Sequence, residues 1–311
     1  MCRKIALFLF SLFLVSALMT GCSEPTDRKD KSVTASKQAD VIGIINDTLV
    51  DVFKEPDTTS ERVTQAIFNQ PVSILKEDGL WINVGVVDGY TGWIKARYIK
   101  KDSSSIQGSN KYRVLVTAKT KNVLATSKSN VILKDVVMGT EFYSNNKTNS
   151  GYEIALPENK TGWIEVSGTI QLPPDVAIPK TSAADFVATA SKYKGAIYLW
   201  GGVSSWGVDS SGLTYISSRV NGVNLPRDAD EQYQNGENVD LKAIKPGDLM
   251  FFSTNEDLKD ISHVGICVEG NKFIHASQSK GSVIISLLSE DYYKRRLVGI
   301  KRIFNSVTPN K

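Results

Sequence analysis

The sequence predicts a multidomain chain, two small all-β barrels followed by an α+β domain. Three observations carry this expectation. From Val41 onward, short strand-like runs alternate with turn signals, and the plan repeats: Thr91-Gly-Trp-Ile-Lys95 is answered by Thr161-Gly-Trp-Ile-Glu165, and Gly79-Leu-Trp81 by Ser150-Gly-Tyr152. Beyond the proline-containing linker Leu172 to Pro179, apolar residues change to helical spacing. Further on, His263-Val-Gly-Ile-Cys-Val268 and Lys272-Phe-Ile-His-Ala276 flank Glu269-Gly270-Asn271 and predict a hairpin. The 311 residues alone suggest about two domains, and the repeat raises that to three, at 41–104, 110–172 and 180–305.

At the start, Arg3 and Lys4 precede an apolar run from Ile5 to Leu18, too short for a comfortable membrane span and suited to a signal peptide over 1–21. It closes on Met19-Thr-Gly-Cys22, which resembles a bacterial lipoprotein signal. That resemblance implies lipidation of Cys22 and a membrane-anchored protein outside the cytoplasm, at the cell envelope. Residues 22–40 are polar and lack aromatics, which predicts a flexible tether.

In the first repeat, Val63 to Phe68, Val72 to Leu75, Trp81 to Val84 and Gly92 to Ile94 read as strands, with turns at Asn69-Gln-Pro71, Asp78-Gly79 and Asp88-Gly89. Trp93 and Trp163 are expected in the barrel cores. Ser182 is placed to cap a helix reaching Tyr193, with Phe186, Ala190 and Tyr193 on one face. A second helix opens at Asp209-Ser210-Ser211-Gly212 and carries Leu213, Ile216 and Val220 at 3- and 4-residue spacing. Lys245-Pro-Gly-Asp248 turns into a buried strand, and Val283 to Leu287 and Leu297 to Ile303 complete a sheet.

Composition narrows the function classes. Hydrophobic residues make up 41% and charged residues 23%, ordinary for globular domains. A net charge of +4, with no basic cluster interleaved with aromatics, argues against a nucleic-acid partner. Of three cysteines, Cys2 lies in the leader and Cys22 at its end, so only Cys267 remains in the globular part, and neither a disulfide framework nor a cysteine metal site is expected. No cofactor or metal is called for. Cys267 reads as a buried structural thiol, since it lacks a helix N-terminus to activate it.

The rest of the chain is organised around Tyr198-Leu-Trp-Gly-Gly-Val-Ser-Ser-Trp-Gly-Val-Asp-Ser-Ser-Gly-Leu213. A polar side chain in the first turn of a helix sits among free N–H groups, where nucleophiles are activated and oxyanions held. This stretch resembles the NlpC family of bacterial cell-wall cysteine peptidases, whose motif runs Tyr-x-Trp-Gly-Gly, a spacer, then Gly-x-Asp-Cys-Ser-Gly. The resemblance covers Val41 to about Phe304 and implies a papain-like α+β peptidase domain, preceded by two bacterial SH3-like domains recognised by their Gly-Trp-Ile runs. Where that family has its nucleophilic cysteine, this chain has Ser210.

A hydroxyl or thiol nucleophile needs a base in reach and a third group to orient it. The chain has only two histidines, 12 residues apart. A three-residue turn at Glu269-Gly270-Asn271 sets His275 opposite Gly265 and diagonal to His263 on one sheet face, whereas a two-residue turn would separate them. His263 is the candidate base and His275 its orienter. The resemblance further implies that Tyr198 helps hold the substrate carbonyl, and that Asp209 and Ser211 meet the free amino end of a wall peptide. Trp200 and Asp228 join the substrate site, and Glu55 and Tyr90 of the first barrel wall it. The activity implied is hydrolysis of γ-D-glutamyl–diamino acid bonds in peptidoglycan stem peptides with a free N-terminal L-alanine. Three readings of Ser210 stand open: a working serine nucleophile, a natural non-catalytic relative that binds wall peptides, or a replacement that silences a cysteine enzyme.

Overall fold

Alternation decides the strands of the first sheet. In Leu49-Val-Asp-Val-Phe53 the two valines are buried, and Trp81-Ile-Asn-Val-Gly85 buries Ile82 and Val84 in the same rhythm. The structure is a computed structural model and describes residues 42–304; the expected signal peptide, Cys22 and the tether to residue 40 lie outside the described residues. The strands β1 (Ile42–Ile45), β2 (Leu49–Phe53), β3 (Arg62–Ile67), β4 (Pro71–Asp78), β5 (Trp81–Gly85), β6 (Thr91–Lys95) and β7 (Ile99–Lys100) form an antiparallel sheet in the order β3-β2-β6-β5-β4-β1-β7. A second sheet follows from β8 (Tyr112–Val116), β9 (Thr120–Leu124), β10 (Ile132–Val137), β11 (Glu141–Lys147), β12 (Gly151–Leu156), β13 (Lys160–Glu165) and β14 (Thr169–Leu172). Its order, β10-β9-β13-β12-β11-β8-β14, is the first order moved on by one repeat.

Separate cores support the two sheets, Val52, Val84 and Ile94 in one and Val114, Phe142, Ile154 and Ile164 in the other. The two tryptophans differ. Trp163 is buried, its ring lying over Gly151, where a Cβ would come within 2.8 Å of it. Trp93 is only half-buried, under the Lys76 ammonium at 5.5 Å, while Gly92 and Ile94 take the inward positions. The core expectation therefore fails for Trp93.

The third region begins with α1 (Ala183–Ser191), whose Ser182 and Asp185 form a reciprocal capping box. The helix stops before Tyr193, which is nonetheless buried. Next come β15 (Val203–Ser204), β16 (Gly207–Val208), α2 (Ser210–Val220), α3 (Ala229–Tyr233), β17 (Glu237–Asn238), β18 (Leu249–Phe252), β19 (His263–Glu269), β20 (Lys272–Ser277), β21 (Ser282–Leu287), α4 (Asp291–Arg296) and β22 (Leu297–Arg302). The sheet runs β17-β22-β18-β19-β20-β21, all antiparallel. Helix α2 packs on β19 and β20. A one-faced stripe is expected for it, yet every residue of α2 but Arg219 is buried. Thr214 and Ser218 survive there because their hydroxyls bond back to the carbonyls of Ser211 and Tyr215.

The β19–β20 hairpin corrects the expected turn. Glu269 pairs with Lys272, so the turn has two residues, Gly270-Asn271, with Gly270 at φ 53°. A bulge between Cys267 and Glu269 supplies the missing residue and restores the pairing of Cys267 with Phe273 and Ile266 with Ile274. Continuing that register sets His275 against Gly265 and diagonal to His263. The two rings meet by a route the turn length alone did not reveal.

Candidate active site

Helix α2 starts where Asp209 caps it, its Oδ1 accepting from Gly212 N at 2.6 Å. Gly212 must be glycine, because a Cβ there would lie 2.1 Å from the carbonyl oxygen of Gly202. The Tyr198–Gly202 loop is thereby pressed on the first turn, with Gly201 N donating to Asp209 Oδ2 at 2.7 Å. Arg227, 2% exposed, closes the arrangement. Its guanidinium donates to both oxygens of Asp209 at 3.0 and 2.7 Å, to Ser211 Oγ at 2.8 Å and to Gly202 O at 3.3 Å. Burial opposes its charge, but Asp209 beside it, with Asp88 and Asp228 beyond, raises its pKa above the ordinary guanidinium value.

These bonds correct one expectation. With the Ser211 hydroxyl at 3.3 Å as well, the Asp209 carboxylate accepts five hydrogen bonds, which exhausts its lone pairs. It is a cap and an arginine partner, and is not free to meet an amino group. Ser211 is likewise held by Asp209 and Arg227, although both residues border the cleft.

Ser210 lies at the first turn of α2, and its N–H has no carbonyl partner among the described residues. It lines a cavity of about 580 Å³ together with Tyr198, His263 and His275. His263 Nε2 stands 2.8 Å from His275 Nδ1, and His275 Nε2 lies 3.0 Å from Ser286 Oγ. Burial pushes the His263 pKa down to about 4, and burial together with neighbouring His263 pushes that of His275 down to about 3. Both rings are neutral at pH 7. Burial, reinforced by Asp209, pushes Tyr198 up to about 12, which keeps its hydroxyl a proton donor.

One end of the cavity is walled by the first sheet through Glu61, Val63 and Tyr90. The Tyr90 hydroxyl donates to Asp228 Oδ2, and burial with that bond raises its pKa. Trp200 borders the cleft and donates its indole N–H to Glu61 Oε1 at 3.2 Å. Glu55 does not border it. The turn after β2 carries Glu55 away, with its N–H bonded to Ser60 Oγ, and the chain returns to the cleft only at Glu61, opposite Lys54. The first sheet is also joined to the nucleophile helix. Thr64 Oγ1 accepts from Arg227 Nε at 3.3 Å and donates to Asp88 Oδ2 at 2.5 Å, and Gln65 Oε1 accepts from Val203 N at 3.2 Å.

Sequence reasoning gave no role to Glu61, Thr64, Arg227, Ser286 or Tyr293. Only Arg227 had a signal, in the Leu225-Pro-Arg-Asp228 run. Cys267 is fully buried, and burial followed by Asp248 pushes its thiol up to about 11, which leaves it inert.

Comparison with known proteins places the chain in a family. Residues 195–302 match the NlpC/P60 family and residues 48–100 the bacterial SH3 domain. A γ-D-glutamyl-L-lysine dipeptidyl-peptidase of Bacillus subtilis is 30% identical over 259 residues, 78% of this chain and 81% of that protein. The chain belongs to the NlpC/P60 family. A Bacillus cereus protein of the same name is 25% identical over 95% of this chain and 97% of its own length. The crystal structure of an NlpC/P60 family protein from Bacillus cereus covers 85% of this chain and all of its own, with a TM-score of 0.78 at 22% identity, a likeness of fold. This NlpC/P60 chain is therefore, by resemblance, a cell-wall peptidase with an SH3 domain ahead of its peptidase domain.

Proposed function

We propose that the chain is a γ-D-glutamyl–diamino acid peptidase of peptidoglycan stem peptides in which Ser210 holds the nucleophile position. The acidic end of the cleft carries this reading. Glu61, Asp228 and Asp230 gather where the first sheet closes the cavity, and they suit the ammonium of a free N-terminal residue. Asp209, already saturated, takes no part in that recognition. The closed end fixes the distance from the amino terminus to the cut, as in an enzyme that counts residues from that end.

In the reaction, the group at position 210 attacks the γ-carbonyl carbon and its proton passes to His263 Nδ1. The Tyr198 hydroxyl and the Ser210 N–H hold the oxyanion. Collapse expels the diamino acid's amine, which takes the proton back from His263, and water then releases the acyl group by the same steps. His275 orients the base. A hydroxyl gains little ionisation from a helix terminus, whereas a thiol there is readily ionised beside an imidazole. That difference favours a silent site in the chain as written, a scaffold that binds wall peptides and turns them over slowly or not at all.

The decisive experiment compares the chain with its Ser210→Cys variant on L-Ala-γ-D-Glu-diaminopimelate. Hydrolysis by the variant alone is the expected result. Equal hydrolysis by both would make Ser210 a working nucleophile. Binding without hydrolysis by either would leave a wall-peptide-binding protein.

On its matching strand order we assign the second sheet as a second SH3-like domain, with domains at 41–104, 110–172 and 180–305. The Met19–Cys22 run supports lipid anchorage through Cys22 at the cell envelope. Radiolabelled palmitate incorporation, lost in Cys22→Ala, tests it.

A further inference from the structure

The histidine pair can be wired in two directions, and only one leaves a base. A neutral imidazole carries one N–H and one bare nitrogen. With both protons on Nε2, His263 donates to His275 Nδ1, His275 donates onward, and His263 Nδ1 stays bare. With both on Nδ1, His275 donates to His263, and His263 offers the substrate an N–H where a lone pair is needed. The 2.8 Å contact between the rings fits either direction.

What stands behind His275 can set the direction. Ser286 on β21 lies diagonal to His275 on the same sheet face, with Oγ 3.0 Å from His275 Nε2, and the Tyr293 hydroxyl lies 3.4 Å from the same nitrogen. His275, Ser286 and Tyr293 are 1%, 7% and 8% exposed, so bulk water does not arbitrate. The Tyr293 hydroxyl also faces the side chains of Ser286 and Ser277. Ser286 can thus donate its own O–H to Tyr293 and keep a lone pair for His275. We propose that Ser286, backed by Tyr293, is a positioning residue that sets the direction of the chain: its oxygen accepts from His275 Nε2–H, so that His275 Nδ1 accepts from His263 Nε2–H and His263 Nδ1 is left bare as the base. Without Ser286, the Tyr293 hydroxyl stands between His275 Nε2 and the Ser277 side chain, and its proton, having lost Ser286 as an acceptor, turns to His275 Nε2 and reverses both rings.

The inference rests on His263 as the base, but its test does not depend on turnover. The chain has only two histidines, so two-bond ¹H–¹⁵N correlation spectra resolve both rings. Above the ordinary imidazole pKa, both rings should be Nε2–H in the chain as written. Ser286→Ala should move both together toward Nδ1–H, and Ser286→Thr should keep the original pattern. Should Ser286→Ala not fold, Ser286→Cys keeps a small side chain with a poorer acceptor and should show a partial shift. An Nδ1–H ring in the unaltered chain, or unchanged tautomers in a folded Ala or Cys variant, overturns the proposal. In a Ser210→Cys background, Ser286→Ala should lower kcat on the order of 10-fold with KM unchanged. If the tautomers respond and no variant hydrolyses peptide, the functional reading fails and the wiring stands.

Discussion

The two seven-stranded sheets share one strand order and differ in what covers the same strand. β3 and its counterpart β10 are both edge strands. The residues Glu61 to Gln65 on and before β3 meet the catalytic domain through Trp200, Arg227 and Val203. The corresponding Val131, Ile132 and Leu133 are 60%, 52% and 45% exposed, and the end of that run turns to the first sheet, where the Asp135 carbonyl accepts from Thr48 Oγ1. Tyr90 stands immediately before Thr-Gly-Trp in one copy and reaches Asp228; Lys160 stands there in the other and pairs with Glu158 on the surface. The second sheet contributes at the far end of α2, where Glu141 accepts from Arg219 at 2.7 Å. One topology has thus yielded a wall of the active site and a rear support. Which of the two a copy becomes depends on its edge residues and not on its fold.

The largest expected effect separates the two contacts with α2. Arg227→Met leaves Asp209 buried without its partner and should cost about 3–5 kcal/mol in denaturant unfolding, whereas Glu141→Gln, at a pair about one-fifth exposed that keeps a neutral acceptor, should cost about 1–2 kcal/mol. Equal costs would erase the distinction between front and rear.

Acid should act on the front first, above the range in which the carboxylates of Glu158, Asp102 and Asp185 protonate. His263 and His275 have folded pKa values near 4 and 3 against an ordinary 6.5, so between these limits the unfolded chain binds protons that the folded chain refuses. Their contribution is fully present above pH 6.5 and is lost as pH falls, toward 4 for His263 and toward 3 for His275. Replacing both with Gln should flatten that part of the stability profile, while Glu141→Gln should leave its shape alone. A profile equally steep without the histidines would locate the acid sensitivity elsewhere.

The smallest effect is on recognition. In the Ser210→Cys background, Tyr90→Phe should raise KM for a free-amino peptide about 3- to 10-fold, the worth of one hydrogen bond to a charged site, with little change in kcat. Lys160→Ala should change neither. An N-acetylated peptide should be poor for every variant, and efficient cleavage of it would dissolve the role given to the acidic end.

Much was legible in advance because it is local. The repeat, the helix starting at Asp209, the Ser182 cap and the two histidine strands follow from periodicity and capping, which neighbouring residues specify. The pairing of His263 with His275 was reachable too, although its cause is a two-residue turn plus a bulge, and bulges leave no mark in a residue pattern. Tertiary structure alone decided the rest. Asp209 could be read from the sequence as a contact for an amino group and is saturated, because Arg227 arrives from 18 residues away to bond both its oxygens. Glu55 and Glu61 were equivalent surface carboxylates until the path of one turn set Glu61 in the cleft. Ser286 carried no signal at all: a serine on a strand becomes significant only when sheet register brings its oxygen to a ring nitrogen. Secondary structure depends on spacing along the chain, whereas charge state, hydrogen-bond direction and access depend on what folding brings within a few ångströms, and residues far apart in sequence supply that.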